Sequence, residues 1–141
     1  MDFASMWSVF YDQMFTYYDY ITVLDGLLAT AEIAVFGLLI GIVIGTVLAI
    51  AKVVPKYHLF PRICSGIASV YIALFRGTPM VVQLLIGYFV LMPVLGISAQ
   101  PLSVAILIFG LNSGAYVSEI MRSGINSVDR GQLEAGRAVG L

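Results

Sequence analysis

The sequence predicts an all-α integral membrane protein with three transmembrane helices and additional interfacial helices. Hydrophobic residues make up 60% of the chain and charged residues 11%, a composition outside the range of soluble domains. Uncharged runs alternate with short segments that carry the lysines and arginines. The first long run, Ile33–Ala51, is close to the roughly 20 residues that a membrane-crossing helix needs.

Composition also excludes several classes of function. A formal net charge of −1 gives no reason to expect nucleic acid as a partner. Cys64 is the only cysteine, so the sequence offers no internal disulfide and no cysteine-cluster metal site. A Gly-x4-Gly-Lys-Ser/Thr motif is absent, so ATP binding by that route is not expected. His58 stands alone in a loop, and we expect neither catalysis nor a cofactor.

Residues 1–25 form an acidic, aromatic segment. Aromatic rings with polar tips favour the membrane–water boundary. We therefore expect a helix at that boundary on the extracytoplasmic side, with a loosely ordered tail as the alternative. The aromatic residues are Phe3, Trp7, Phe10, Tyr11, Phe15, Tyr17, Tyr18 and Tyr20.

Glycines recur every fourth residue in the first predicted span, residues 27–51. Gly37, Gly41 and Gly45 share one helix face. Helices in lipid associate through close backbone packing, which small residues permit. These glycines predict a helix–helix seam, with ordinary tolerance of glycine as the alternative. Glu32, at the margin of the span, is interpreted as a boundary residue rather than a buried functional carboxylate.

Positive charges predict the orientation of the chain. No Lys or Arg precedes residue 52, whereas residues 52–62 and 122–141 contain all but one of them. Because cytoplasmic segments are enriched in Lys and Arg, we expect the N-terminus outside and both basic segments inside. An odd number of crossings must precede the first basic segment and an even number must separate the two.

This parity fixes the other two spans at residues 79–97 and 101–121. The uncharged run 63–75 is interpreted as too short to cross, and we expect an interfacial or partly buried helix there. Counting it as a span would place the basic C-terminal segment outside.

A break at Gly77-Thr78-Pro79 precedes the second span. Thr78 is expected to cap the next helix, and Pro79 suits its first position. Gln83 lies inside the span, where an amide needs a protein partner or a water-filled path. Structural hydrogen bonding and substrate contact both remain open for Gln83. Arg76 is interpreted as a flanking residue rather than as the partner of Glu119.

A polar stripe runs along the third span. Asn112, Tyr116, Glu119 and Ser123 have the spacing of one helix face. An Asn at mid-span is unfavourable against lipid, so the stripe should face the bundle interior. Interhelical hydrogen bonding alone is the alternative to a translocation path.

The polar tail after residue 125 predicts a short exposed helix. Asp129 followed by Gln132 has the pattern of a capping box, with Arg130 as the first helical residue. Small side chains such as Ala135 and Gly136 would let another surface approach this helix closely. A solvated amphipathic tail is the alternative.

Several motifs resemble bacterial ABC-importer permeases. Glu134-Ala135-Gly136, followed three residues later by Gly140, is similar to their EAA loop (E-A-A-x3-G-x9-I-x-L-P), with Gly136 in place of the second Ala. The branch that imports polar amino acids is similar over residues 22–141. The motifs that carry this likeness are Phe75-Arg76-Gly77-Thr78-Pro79, Gln83, Gly114-Ala115-Tyr116 through Glu119 and Arg122, Ile125–Val128 and Gly131-Gln132.

The resemblance implies the N-terminal part of a five-helix permease that ends within the EAA loop at residues 126–141. It implies ATP-driven uptake of polar amino acids across the bacterial cytoplasmic membrane. Expected partners are separate ATP-binding subunits that hydrolyse ATP, an extracytoplasmic amino-acid-binding protein, and an identical or different second permease subunit. The substrate path would comprise Gln83, Asn112, Tyr116 and Glu119, and coupling to the ATPase would use Gln132, Glu134, Ala135, Arg137 and Gly140.

Two other functions compete with this interpretation. A secondary transporter or channel would use Glu119 or Glu32 as its ion site. A membrane assembly subunit without transport activity would use the glycine seam alone.

Overall fold

A computed structural model describes residues 2–16, 19–55 and 57–140; the side chains of Thr16, Arg130 and Leu133 are also outside the description. Within these ranges all regular structure is helical. Tyr17, Tyr18 and Lys56, which the sequence assigns to the aromatic segment and the basic loop, lie outside the described residues. The helices are α1 (Phe3–Tyr11), α2 (Asp19–Val53), α3 (Leu59–Gly77), α4 (Met80–Ile86), α5 (Met92–Val94), α6 (Pro101–Asn126) and α7 (Arg130–Ala138), with π-helical turns at Asp12–Thr16 and Gly87–Leu91.

Three of the described helices are long and apolar enough to cross a membrane, namely α2, α3 and α6. Their outward surfaces carry many exposed large apolar side chains, which suits contact with lipid rather than water. The predicted all-α membrane fold is confirmed. α1 buries none of its side chains, and its position at the membrane boundary stays a prediction.

Helices α2 and α6 pack side by side and run in the same direction. Gly37 in α2 faces Phe109 in α6. The contact partners then advance together along both helices, as Gly41 with Ser113, Gly45 with Val117 and Lys52 with Glu119. The chain leaves α2 at the end where α6 also ends, so residues 54–100 must run back along the pair.

The backbones of this pair approach closely because glycines face each other's helix. A Cβ built on Gly41 would lie 2.5 Å from Ser113 Oγ, and one on Gly45 would lie 2.7 Å from Val117 Cβ. α6 contributes glycines of its own. A Cβ on Gly110 would lie 2.6 Å from Ile40 Cγ2, and one on Gly114 would lie 2.8 Å from Ile44 Cγ2. The seam therefore has glycines on both helices, and it lies within this chain.

The return path is made of two helical pieces. Phe60 and Cys64 near the start of α3 border a pocket with Ile50 at the end of α2. α3 ends at the middle of α6, and α4 begins there. Gly87 then packs on Ile108, nearer the start of α6. α3 and α4–α5 thus share one passage back along the pair, broken at Gly77-Thr78-Pro79.

The predicted bounds of this return path need correction. The helix predicted at 63–75 is longer than expected, since α3 has 19 residues and is long and apolar enough to cross a membrane; that it does not form a separate span stays a prediction. Pro61 does not break it. Pro61 lies in its first turn, where the missing N–H has no intrahelical acceptor. The helical stretch Met80–Val94 is instead shorter than a full crossing. α2 and α6 extend beyond the predicted 27–51 and 101–121.

Candidate functional site

The break between α3 and α4 leaves the carbonyl of Phe75 without a helical donor. Pro79 has no N–H, so the carbonyl of Phe75 lacks its usual partner four residues on. Thr78 is extended and ends α3. Its hydroxyl donates to the carbonyl of Leu74 at 2.8 Å. Thr78 therefore satisfies the end of α3, and the residue that caps α4 is Pro79 rather than the predicted Thr78.

Side-chain amides replace the missing donors at this break. Gln83 Nε2 donates to the Phe75 carbonyl at 2.9 Å and to the carbonyl and hydroxyl of Thr78 at 3.0 and 2.8 Å. Asn112 Nδ2 donates to the Phe75 carbonyl at 3.2 Å and to Gln83 Oε1 at 3.1 Å. This amide cluster, Phe75, Thr78, Gln83 and Asn112, holds the break against the middle of α6.

The amide cluster gives both predicted path residues a structural role. The whole amide of Gln83 and both N–H groups of Asn112 are committed to protein partners. Asn112 Oδ1 accepts no hydrogen bond from a described residue. Asn112 can therefore accept a further hydrogen bond, whereas Gln83 must break an existing hydrogen bond before it can form a new one.

Tyr71 adds a second bond between α3 and α6. Its hydroxyl donates to the carbonyl of Leu111 at 2.6 Å. The sequence analysis missed this residue. A Tyr one turn before Phe75 carries a hydroxyl that needs a partner when part-buried, but its acceptor is a backbone atom of another helix, which sequence spacing does not reveal.

A second cluster gathers charges around Glu119. Lys52 at the end of α2 donates to Glu119 Oε1 at 3.2 Å, and Arg122 Nη2 donates to Oε2 at 2.7 Å. Arg76 Nη1 lies 4.0 Å from Oε2. Only 18% of the Glu119 side chain is exposed. This charge cluster joins the ends of α2 and α3 to α6 and carries three positive charges against one negative.

Arg76 is therefore more than the predicted flanking residue. Its guanidinium lies over the ring of Tyr116, 5.2 Å from the centroid, in the arrangement of a cation–π contact. Phe75 belongs to the amide cluster and Arg76 to the charge cluster, so adjacent residues at the end of α3 link the two.

The predicted stripe on α6 lies on one side of the helix but serves two clusters. Asn112 belongs to the amide cluster and Glu119 to the charge cluster. Tyr116 is 46% exposed, and Ser123 is exposed too. Tyr116, Glu119 and Ser123 border an open groove of about 400 Å³ together with Arg76 and Ile120. The stripe therefore faces an open groove in this chain rather than a closed interior.

The short exposed helix follows α6 after three residues. Asp129 Oδ1 accepts from the N–H of Gly131 at 2.8 Å, which caps α7. The described residues show no bond from the Gln132 side chain back to Asp129, so the predicted capping box is reduced to a single cap. Gln132, Glu134, Ala135 and Arg137 are exposed. Gly140 has a φ of 84°, a left-handed conformation that favours glycine.

Comparisons with known proteins agree with this architecture. Residues 37–141 match the model of the family described as binding-protein-dependent transport system inner membrane component. The chain is 43% identical over 119 residues to the arginine transport system permease protein ArtQ of Bacillus subtilis, and 41% identical over 119 residues to the putative glutamine transport system permease protein GlnP of Rickettsia prowazekii. Each alignment covers 84% of this chain and 52% of the relative.

A solved structure shares the fold as well. The crystal structure of an amino acid ABC transporter with histidines matches with a TM-score of 0.74 and 33% sequence identity, over 100% of this chain and 58% of the solved one. The chain thus spans about half the length of the curated relatives it matches. On these matches, the chain belongs to the family of binding-protein-dependent transport system inner membrane components.

Proposed function

We propose that this chain is the N-terminal part of the transmembrane subunit of an ATP-driven ABC importer for polar amino acids. One arrangement carries the proposal. Two polar clusters lie along one side of α6, and α6 ends three residues before the exposed, capped helix α7. A polar surface within a membrane protein and a cytoplasmic docking helix are thereby joined by one rigid element. The arginine and glutamine transport permeases among the relatives support amino acids as the substrate class.

Tyr116 and the free Oδ1 of Asn112 are the groups best placed to meet a polar substrate. Both lie on α6, and neither is fully enclosed within this chain. Gln83 and Glu119 contribute indirectly, since protein partners already occupy their polar atoms. Gln83 holds the helix break, and Glu119 holds the ends of three helices together.

Coupling to ATP hydrolysis would use α7. A separate ATP-binding subunit docks on Gln132, Glu134, Ala135, Arg137 and Gly140 from the cytoplasmic side. Movement of α7 passes to α6 through Ser127–Asp129 and shifts the bundle between outward-open and inward-open states. ATP can drive this change only by differential affinity for the two states. An extracytoplasmic binding protein delivers the amino acid, and a second permease subunit completes the path.

The pairing of Glu119 argues against a secondary transporter that uses it as an ion site. Lys52 and Arg122 already occupy both carboxylate oxygens. A free carboxylate would be needed to bind a cation or to exchange a proton during transport. Glu32 is exposed on α2, away from the charge cluster.

Reconstituted transport tests the proposal. The full-length permease, its ATP-binding subunit and its binding protein would be placed in proteoliposomes with labelled L-arginine or L-glutamine outside. We expect accumulation that requires internal ATP. Accumulation driven by an imposed proton gradient without ATP would contradict the proposal. Tyr116→Leu should alter uptake while the complex still assembles, whereas Leu107→Ala, exposed on the other side of the same helix, should not.

A further inference from the structure

The guanidinium of Arg76 lacks a hydrogen-bonded partner in this chain. It lies 4.0 Å from Glu119 Oε2, beyond hydrogen-bond distance, and within the described residues it donates to no acceptor. Its side chain is 43% exposed. Its ion pair with Glu119 is long, so the N–H donors of the guanidinium are available for a ligand.

Glu119 is an ion-pair neighbour of Arg76, but its shorter contacts go to Lys52 and Arg122. Lys52 bonds to Oε1, and Arg122 bonds to both oxygens through Nε and to Oε2 through Nη2. Both carboxylate oxygens are therefore engaged by Lys52 and Arg122, and the charge cluster keeps an excess of two positive charges. Of its cations, Arg76 borders the groove, together with Tyr116, Glu119, Ile120 and Ser123.

The geometry favours a planar anion. The Arg76 guanidinium lies over the Tyr116 ring, 5.2 Å from its centroid, and both side chains border the groove. A guanidinium edge presents parallel donors that match the two oxygens of a carboxylate. Ser123 lies exposed on the same groove and can donate a further hydrogen bond.

We propose that Arg76 binds the α-carboxylate of the transported amino acid in this groove, an inference that rests on the proposed function. Tyr116 orients the guanidinium and Glu119 acts as a positioning residue. By engaging Lys52 and Arg122 at short distance, Glu119 leaves Arg76 as the cation that meets the ligand. Carboxylates occur both on a free amino acid and on a second permease subunit, and the experiment must separate these sources.

Binding to the full-length permease–ATPase complex, without binding protein, tests the proposal. The probes are L-arginine and L-glutamine and the corresponding α-amides, which lack the carboxylate, measured by equilibrium dialysis. We expect the wild type to bind each acid at least about tenfold tighter than its amide, since a charge-assisted hydrogen bond is worth roughly that much. Arg76→Gln should abolish this preference, and Arg76→Lys should reduce it several-fold because the planar fork is lost. Arg62→Gln, on the same helix and outside the groove, is the matched control.

Two results would overturn the proposal. One is an acid–amide preference that is undiminished in Arg76→Gln, or undiminished in Arg76→Lys if Arg76→Gln does not fold. The other is a wild type that transports either amino acid but binds neither acid. Loss of association between permease subunits in Arg76→Gln, with the preference intact, would assign the carboxylate to the second subunit. Wild-type uptake without any need for ATP would instead reject the proposed function itself.

Discussion

The side-chain amide of Gln83 donates to the main-chain carbonyl of Phe75 at 2.9 Å, across the break between α3 and α4. Pro79 removes the backbone N–H that would otherwise reach this carbonyl. A side chain eight residues along the chain thus does the work of a missing backbone donor. Since no water can satisfy a carbonyl inside a bilayer, this bond makes a helix break possible at that depth.

Replacement of Gln83 should therefore destabilise the fold. Gln83→Leu removes the bonds of the Gln83 amide to Phe75, Thr78 and Asn112 and leaves the Phe75 carbonyl with Asn112 as its donor. We expect a loss of about 1–3 kcal/mol in the free energy of unfolding, measured by SDS titration in mixed micelles.

Pro79→Ala supplies a rescue control. An alanine at this position restores an N–H that reaches the Phe75 carbonyl once Thr78, extended in this structure, becomes helical, so the double variant should recover part of the stability lost in Gln83→Leu. Failure of any rescue, together with loss of substrate binding at unchanged stability, would show that Gln83 serves the substrate rather than the helix break.

This bond also shows how far the sequence could predict the site. The need of Gln83 for a polar partner follows from its place in an apolar run, and the orphan carbonyl at Phe75 follows from the position of Pro79. Both the unpaired carbonyl and the amide that needs a partner can be read from the sequence, and the two residues lie only eight positions apart. The contributions of Asn112 and Tyr71 to this region depend instead on how α6 crosses α3, which spacing within one helix does not determine.

In the fold, too, spacing within one helix predicts some features, whereas others depend on how the helices pack. Glycine spacing predicts one face of the seam at Gly41, but the matching Gly114 in α6 emerges only from the parallel pairing of the helices. α3 begins before the uncharged run 63–75 because Pro61 lies in its first turn, where proline is tolerated. Arg76 is interpreted from sequence as a flanking residue, and its contact with Tyr116 joins two helices, which spacing within one helix does not reveal.

A larger side chain in the seam should separate α2 from α6. A Cβ at position 41 already meets Ser113 at 2.5 Å, so Gly41→Leu should cost about 1–3 kcal/mol or more by overpacking. Membrane insertion should persist while protease resistance of the folded bundle is lost. The seam lies within this chain, so this loss should precede any effect on association between subunits.

Gly26 provides the matched control on the same helix. A Cβ at position 26 would have no neighbour within 4 Å, so Gly26→Leu should leave protease resistance unchanged. A second substitution should relieve the overpacking. Ser113→Gly removes the atoms nearest to a Cβ at position 41, so it should partly restore the protease resistance lost in Gly41→Ala. Equal behaviour of the Gly41 and Gly26 variants would show that the seam does not support the fold.

The orientation of the chain is the third prediction. We expect residues 1–25 outside and residues 52–62 and 122–141 inside, from the distribution of Lys and Arg. The parallel packing of α2 and α6 is consistent with this, because both helices then enter from the same side. Single cysteines at positions 20, 57 or 99 in a Cys64→Ser background can be labelled in intact cells with an impermeant thiol reagent. Labelling at position 57 from outside would contradict the orientation.

The last prediction concerns α7 as the ATPase-docking helix. Glu134 is exposed on α7, and the neighbouring Gly136 has no atom within 4 Å of a Cβ built on it. Glu134→Lys and Gly136→Trp should therefore leave folding and insertion intact. If an ATP-binding subunit docks here, both should lower its co-purification with the full-length permease or uncouple ATP hydrolysis from uptake. A docking residue is worth anything from under 1 to several kcal/mol, roughly.

Gly140→Trp is the less informative substitution at this helix. The φ of 84° at Gly140 makes any side chain there strained, so a defect would combine backbone strain with lost docking. Gly136→Trp avoids this, because only a partner surface can meet the added ring. Glu134→Gln, which keeps the size and removes the charge, separates electrostatic from steric effects. Wild-type ATPase binding and uptake in Glu134→Lys and Gly136→Trp would exclude α7 from the coupling path, while the seam and the amide cluster would stand as the basis of the fold.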